Sequence, residues 1–362
     1  MRHLFCLFLI SLTAPGFSTA QSARVQVYSE NVAKGDRYGE AREASPKFRA
    51  NKPDEDDVIR VETELVMIPV RVTQKNGRAV TDVREGEFKI FENGEEQEIA
   101  YFSNSDEPFT VALMLDMSYS SVFKLAEIQS AALTFLDQLR PNDRMMVVSF
   151  DQKVRVLCKP TDNRKALRYA IEGARIRSGT SLYSALDASL NEELRSVQGR
   201  KAIVLLGDGV DTTSVTKTAK DIVRDVAESD TIIYSIRYDT FDDVRTNRRK
   251  DAQILYDEND KPYIVESPLA KGEKESDYET AREFLQEIAD SSGGRVQRVS
   301  STTNLDQAFA RIADELRKTY SLGYYPGSER TPDKRYFIRV RVYRPNLDIR
   351  ARDNYSAAKR AR

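Results

Sequence analysis

The stretch Val111–Ser121 constrains this chain most. Five apolar residues, Val111-Ala112-Leu113-Met114-Leu115, stop abruptly at Asp116-Met117-Ser118-Tyr119-Ser120-Ser121. An apolar run without alternation reads as a strand buried on both faces, as in a parallel sheet. Asp116, Ser118 and Ser120 then alternate along the following loop, so their side-chain oxygens converge if the loop curls. Val122–Leu139 comes next with helical periodicity, its apolar positions being Phe123, Leu125, Ile128, Leu133, Phe135, Leu136 and Leu139. The oxygens therefore fall at the carboxyl end of a strand, where open α/β sheets bind their ligands.

Val111–Val299 alternates strands and helices throughout. The expected strands are Val111–Leu115, Arg144–Phe150, Val154–Leu157, Ala202–Leu206, Thr231–Arg237 and Arg295–Val299. The expected helices are Val122–Leu139, Arg164–Ala174, Leu182–Val197, Thr216–Ser229 and Tyr278–Ser291. Only Asp151-Gln152-Lys153 separates the second and third strands, which makes them an antiparallel hairpin at one edge. The pattern predicts an α/β fold, a doubly wound, mostly parallel six-stranded sheet, with antiparallel β segments flanking it. In the order 3-2-1-4-5-6, strands one and four meet at the topological switch point. Those two strands end at Asp116 and Asp208. The charged segment 239–277 interrupts the alternation and reads as an insertion leaving the carboxyl end of the fifth strand.

Two later stretches join the first. Lys201–Gly209 is a second buried strand that runs into Asp208, and Ser178-Gly179-Thr180-Ser181 is a turn opening a helix. Asp116-x-Ser118-x-Ser120, Thr180 in a Gly-Thr-Ser-Leu setting and Asp208 in an Asp-Gly pair together resemble the metal-ion-dependent adhesion site of the von Willebrand factor A-type domain. The resemblance covers Thr110–Val299. The flanking segments are similar to those of secreted von Willebrand factor A-related proteins of acidobacteria. It implies that Ser118, Ser120 and Thr180 coordinate a divalent cation directly, and that Asp116 and Asp208 do so directly or through water. Such hard oxygen donors suit Mg²⁺ first, with Mn²⁺ and Ca²⁺ as alternatives. It also implies a protein partner that offers an Asp or Glu to the ion. Taken singly, Ser120 and Thr180 also read as helix caps and the two acids as turn residues. Tyr119, Ser121 and Gly207 depart from the residues frequent in the family at those positions, without removing a ligand.

The chain begins Met-Arg-His, followed by apolar Leu4–Leu12 and the small residues before Gln21. That layout is a secretory signal peptide over residues 1–20, with a cut near Ala20 and a secreted or periplasmic product. Cleavage removes His3 and Cys6, leaving no histidine and only Cys158, read as a buried structural thiol. Residues 21–57 read as a flexible leader. Residues 58–104 read as a small β unit with hairpin signals at Asn76-Gly77 and Asn93-Gly94. The α/β domain follows over 108–300. Residues 301–355 supply a helix, Leu305–Lys318, and strands Tyr320–Tyr325, Tyr336–Tyr343 and Leu347–Ala351, expected to pack with 58–104. The tail is 356–362.

Composition narrows the function classes. The 56 basic and 57 acidic residues leave a net charge of −1, which argues against a general nucleic-acid or anionic-membrane binder. Apart from Leu4–Leu12, too short to span a bilayer, no stretch is apolar enough for a transmembrane helix. Without histidine there is no Ser-His-Asp triad, and no glycine-rich fingerprint for a dinucleotide follows a strand. The expected function is a secreted, non-enzymatic interaction module that binds an acidic residue of a partner through its cation. The alternatives are a hydrolase using the ion as Lewis acid, or a structural envelope protein with a vestigial site.

Overall fold

The computed structural model describes residues 65–104, 107–119, 121, 125–238, 240–250, 253–256, 258, 262–265, 269–299, 304–327, 330–331 and 334–356. The signal segment, the leader and Ser120 lie outside the described residues.

The central element is a six-stranded sheet in the order β12-β9-β8-β5-β6-β7. Its strands are β5 (Phe109–Asp116), β6 (Arg144–Phe150), β7 (Val154–Thr161), β8 (Arg200–Gly207), β9 (Ile232–Tyr238) and β12 (Arg295–Val299). All neighbours are parallel except β6 and β7, which form the edge hairpin. The expected strand order and hairpin are therefore present.

The alternation of the strand β5 divides two cores. Val111, Leu113 and Leu115 pack toward α1 (Leu125–Gln138), α2 (Arg164–Glu172) and α7 (Leu305–Arg317). Ala112 and Met114 pack toward α3 (Leu182–Asp187), α4 (Ala219–Glu228) and α6 (Glu275–Ser292). Every residue of β5 is buried, the signature of a strand covered on both faces. One expectation needs correction here. The single helix over Leu182–Val197 is an α-helix only to Asp187 and continues as a π-helix over Ala188–Glu193. The wider turn, with Leu194 N–H donating to Ser189 O at 3.0 Å, keeps both Leu190 and Leu194 in the core. The insertion 239–277 carries α5 (Phe241–Lys250) and a hairpin of β10 (Gln253–Tyr256) and β11 (Pro262–Val265).

The flanking strands form two four-stranded antiparallel sheets, β15-β1-β13-β4 and β16-β14-β2-β3. The first contains β1 (Val66–Gln74), β4 (Tyr101–Ser103), β13 (Thr319–Tyr324) and β15 (Leu347–Ala351). The second contains β2 (Phe88–Glu92), β3 (Glu95–Gln97), β14 (Arg335–Val342) and β16 (Asn354–Ser356). Both sheets draw strands from either side of the α/β domain, and their inner faces share one core around Ile68, Phe88, Ile90, Tyr320 and Tyr324. Buried Arg352 joins this β unit to the α/β domain, donating to Ser229 O and Met67 O, each at 2.7 Å.

Candidate metal centre

Strand β5 ends in Asp116 and its parallel neighbour β8 ends one residue before Asp208. The register Leu115↔Leu206 brings both acids to the carboxyl edge of the sheet at the point where the winding reverses. Asp116 and Asp208 are 1 % and 4 % exposed. Burial first, and the charge of Asp208 second, push the Asp116 carboxyl up to about 8. Ser118 opposes that rise through its hydrogen bonds, and its backbone N–H donates to Asp116 Oδ1 at 2.9 Å. The loop after β5 is pinned by Met117 N–H donating to Phe150 O and Arg177 N–H donating to Met117 O, both at 2.8 Å.

Asp208 is held from two sides. Val210 N–H donates to its Oδ1 at 2.9 Å, and the Thr240 hydroxyl donates to its Oδ2 at 2.6 Å. The turn between them needs Gly209, whose φ is +88° and where a Cβ would lie 2.6 Å from Leu285 Cδ1. Gly207 has a different constraint, because a Cβ there would approach Asp116 Oδ2 to 2.9 Å. The strand end is thus bare so that the Asp116 carboxylate can occupy the space beside it.

Thr180 is buried on the same edge. Its carbonyl accepts from Thr212 N–H at 2.8 Å and Thr213 N–H at 3.0 Å, while its own N–H donates to Thr212 Oγ1 at 2.9 Å. Its neighbour Ser181 donates its backbone N–H to Asp151 O at 2.7 Å. The Thr180 turn is therefore tied between the loops that follow β6 and β8. Asp116, Ser118, Thr180 and Asp208 all sit on this edge, whereas Ser120 is outside the described residues.

Three neighbours were not anticipated from the sequence. Buried Thr240 holds Asp208 and shares a hydrogen bond of 3.0 Å with Tyr278 OH on α6. Tyr238 OH shares one of 2.6 Å with Ser121 Oγ, and burial, then Asp116 and Asp208, raise its phenol well above the usual range. Tyr238 is thus a neutral neighbour of the two acids. Position was the available signal: Tyr238 and Thr240 stand at the end of β9, next to β8. Asp211 accepts from Tyr183 N–H and Ser214 N–H, each at 3.2 Å, and holds the start of α3. Cys158 is half-buried rather than buried, its thiol raised by what burial it has.

The donor set is chemically consistent with a hard dication. Two carboxylates are buried close enough for each other's charge to matter, with the hydroxyls of Thr240 and Tyr238 beside them. Among the described residues, no cluster of three or more His, Cys, Asp or Glu side chains offers an alternative metal site.

Fold and site together define a doubly wound α/β domain with an oxygen-rich centre at its switch point. Residues 111–210 match the family model described as the von Willebrand factor type A domain. Among curated relatives, an uncharacterized protein of Synechocystis sp. is 31 % identical over 106 residues, 28 % of this chain and 25 % of that protein. A UPF0353 protein of Mycolicibacterium vanbaalenii is 25 % identical over 225 residues, 57 % of this chain and 60 % of that protein. The chain thus spans less than two thirds of either relative's length. Among solved structures, the von Willebrand factor type A protein from Catenulispora acidiphila has a TM-score of 0.43 at 12 % identity, covering 83 % of this chain and 76 % of that one. Mussel byssus proximal thread matrix protein 1, with a zinc-occupied MIDAS motif, has a TM-score of 0.43 at 14 % identity, covering 61 % and 48 %.

Proposed function

We propose that this chain is a secreted or periplasmic, non-enzymatic binding protein that recognises an acidic residue of a partner through a divalent cation. Asp116, Ser118, Ser120, Thr180 and Asp208 are the residues assigned to hold the ion, Mg²⁺ first. The observation that carries the reading is the pair Asp116 and Asp208, two buried carboxylates, with the Asp116 carboxyl raised to about 8 by burial first and by the charge of Asp208 second. Such a pair has to be neutralised by a proton or by a cation, and the hard oxygen donors beside it suit a cation.

When bound, the ion supplies an electrophilic centre for a partner carboxylate. The chain's own residues do the rest. Ser118 N–H and Thr240 orient the two carboxylates, and the turn at Gly179–Ser181 presents the Thr180 hydroxyl from the side. Tyr238 and Ser121 keep their paired hydroxyls next to the acids. Among the described residues no helix is long and apolar enough to cross a membrane. The export assignment rests on the signal-like residues 1–20, and the division into leader, β unit and α/β domain belongs to the same proposal.

The test is capture of partner proteins from the cell envelope of the source organism, with and without EDTA, by wild type and Ser118→Ala. Capture that EDTA abolishes, and that the folded variant lacks, supports the reading. Capture that neither EDTA nor Ser118→Ala alters overturns it, and turnover of generic ester substrates would favour the hydrolase.

A further inference from the structure

The whole chain is nearly neutral, yet the folded β unit segregates its charge. Residues 334–344, Lys-Arg-Tyr-Phe-Ile-Arg-Val-Arg-Val-Tyr-Arg, contain no acid. The alternation of β14 turns Tyr336 and Ile338 into the core and Arg335, Phe337, Arg339 and Arg341 outward. Tyr343 follows on the same outward phase. The neighbouring strand β2 continues this face, since Arg339 pairs with Phe91 and Arg341 with Lys89 across the ladder. The Arg341 guanidinium lies 5.3 Å from the Phe91 ring centroid, a cation–π contact that holds it against the sheet. On β3, Glu96 shares this face and bonds Lys89 at 2.5 Å. On β16, the positions opposite Phe337 and Arg335 are Asn354 and Ser356, both uncharged.

The aromatic residues on this face are unusual for a solvated sheet. Phe337 is 60 % exposed and Tyr343 65 % exposed, two of the seven large apolar side chains left in water among the described residues. Six residue steps along the chain separate them, roughly 20 Å at about 3.3 Å per residue. Guanidinium groups fill the interval. Ring and guanidinium side chains on one rigid face suit a boundary that is anionic at its surface and apolar just beneath. Arginines reach phosphates there while aromatic rings settle at headgroup depth. A polymer recognised by stacking would need its rings in series, and here they stand at the two ends.

We propose that the outer face of β14 and β2, formed by Lys89, Arg335, Phe337, Arg339, Arg341 and Tyr343, docks on an anionic phospholipid surface. The face belongs to the β unit and none of its residues takes part in the candidate metal centre. Docking there is independent of the cation. With a handful of basic groups and two rings the attachment is reversible and salt-sensitive.

The experiment is flotation of the 362-residue chain with vesicles of phosphatidylcholine alone, or mixed with phosphatidylglycerol, in EDTA. Wild type is compared with Arg339→Gln/Arg341→Gln and with Phe337→Ser/Tyr343→Ser. All four positions are on the outer face, so circular dichroism and thermal melts should be unchanged. All the chains share the same N-terminal residues, so differences between them read this face alone. At about 0.05 M salt, wild type should prefer the anionic vesicles, and the double glutamine variant should bind them roughly thirtyfold more weakly, about fivefold per arginine. About 0.5 M salt should remove most of the preference. The aromatic variant should bind more weakly at every salt concentration. Equal partition of wild type and the glutamine variant would overturn the proposal. So would inhibition by soluble polyphosphate or heparin at concentrations where the chain binds those polymers tightly and vesicles weakly, an outcome that would assign the face to a soluble polyanion.

Discussion

The hydroxyl of Thr240 donates to Asp208 Oδ2 over 2.6 Å, and Thr240 is itself fully buried. A residue just beyond β9 thereby fixes the rotamer of an acid just beyond β8. The pairing gives Asp208 a donor on each oxygen, since Val210 N–H occupies the other. A hydrogen bond to a charged group contributes about 1.5–3 kcal/mol, so Thr240→Val, which keeps the shape, should cost that much stability in urea unfolding. Thr240→Ser should recover most of the loss. If the two variants melt alike, the hydroxyl does not matter and the contact is only packing.

The Asp116 carboxyl gives a pH signature with a definite sign. Its folded value is raised to about 8 against an ordinary value of 3.8, so the folded state holds a proton that the unfolded state releases. In EDTA the stability from this group is therefore complete below the unfolded value and declines as pH rises toward 8, by up to about 1.4 kcal/mol per pH unit. Asp116→Asn should flatten that decline. Calorimetric melts of both chains from acid to alkaline pH read the difference, and parallel profiles would remove Asp116 as its source.

Cation binding should run the opposite way. A proton on Asp116 competes with the ion, so Mg²⁺ affinity should rise as pH increases toward 8 and level off above it. Titration calorimetry should find one site in wild type and none in Asp116→Ala. Equal binding by the two chains would end the assignment of the centre.

Much of this architecture was legible because its signals are local and repetitive. The five-residue apolar run, the short link 151–153 and the strand–helix alternation suffice to predict sheet order, and the order alone brings Asp116 beside Asp208. Thr240 and Tyr278 were not legible. Their role depends on a turn after β9 and on the seating of α6, which are tertiary facts with no period in the sequence. The π-turn at Ala188–Glu193 escaped for a related reason, since a widened turn leaves the apolar spacing of a helix almost unchanged. The basic face escaped because composition averages over the surface, whereas strand alternation in β14 collects the arginines on one side.

Gly207 tests how tightly the two strand ends are fitted. A methyl there would sit 2.9 Å from Asp116 Oδ2 and 3.0 Å from its Cβ, closer than ordinary contact. The Asp116 side chain leaves a buried strand, so it has little room to yield. Gly207→Ala should therefore cost about 1–3 kcal/mol by overpacking and weaken Mg²⁺ binding as well. Gly77→Ala is a useful control, because it lies at positive φ with open space around it and should alter stability but not the cation. Unchanged Mg²⁺ affinity in a folded Gly207→Ala chain would show that the Asp116 carboxylate is free to move.

The two ends of the described chain depend on each other through the β unit. Strand β1 lies between β13 and β15, and β2 lies between β14 and β3. Removing residues 335–356 deletes β14, β15 and β16, so β1 and β2 each lose a neighbour. The shared core also loses Tyr336, Ile338 and Tyr355, all nearly buried. At about 1.5–3 kcal/mol for each large apolar side chain, those three alone remove roughly 4.5–9 kcal/mol, comparable to the stability of a whole domain. Strands β1 to β4 should then become sensitive to protease, although they lie more than 200 residues away in sequence. The α/β sheet keeps all six of its strands in the truncated chain, so its resistant core should survive around β5 and β8. Digestion mapped by mass spectrometry distinguishes the outcomes. Unchanged protection of residues 66–103 would mean that the N-terminal strands hold together without their C-terminal partners.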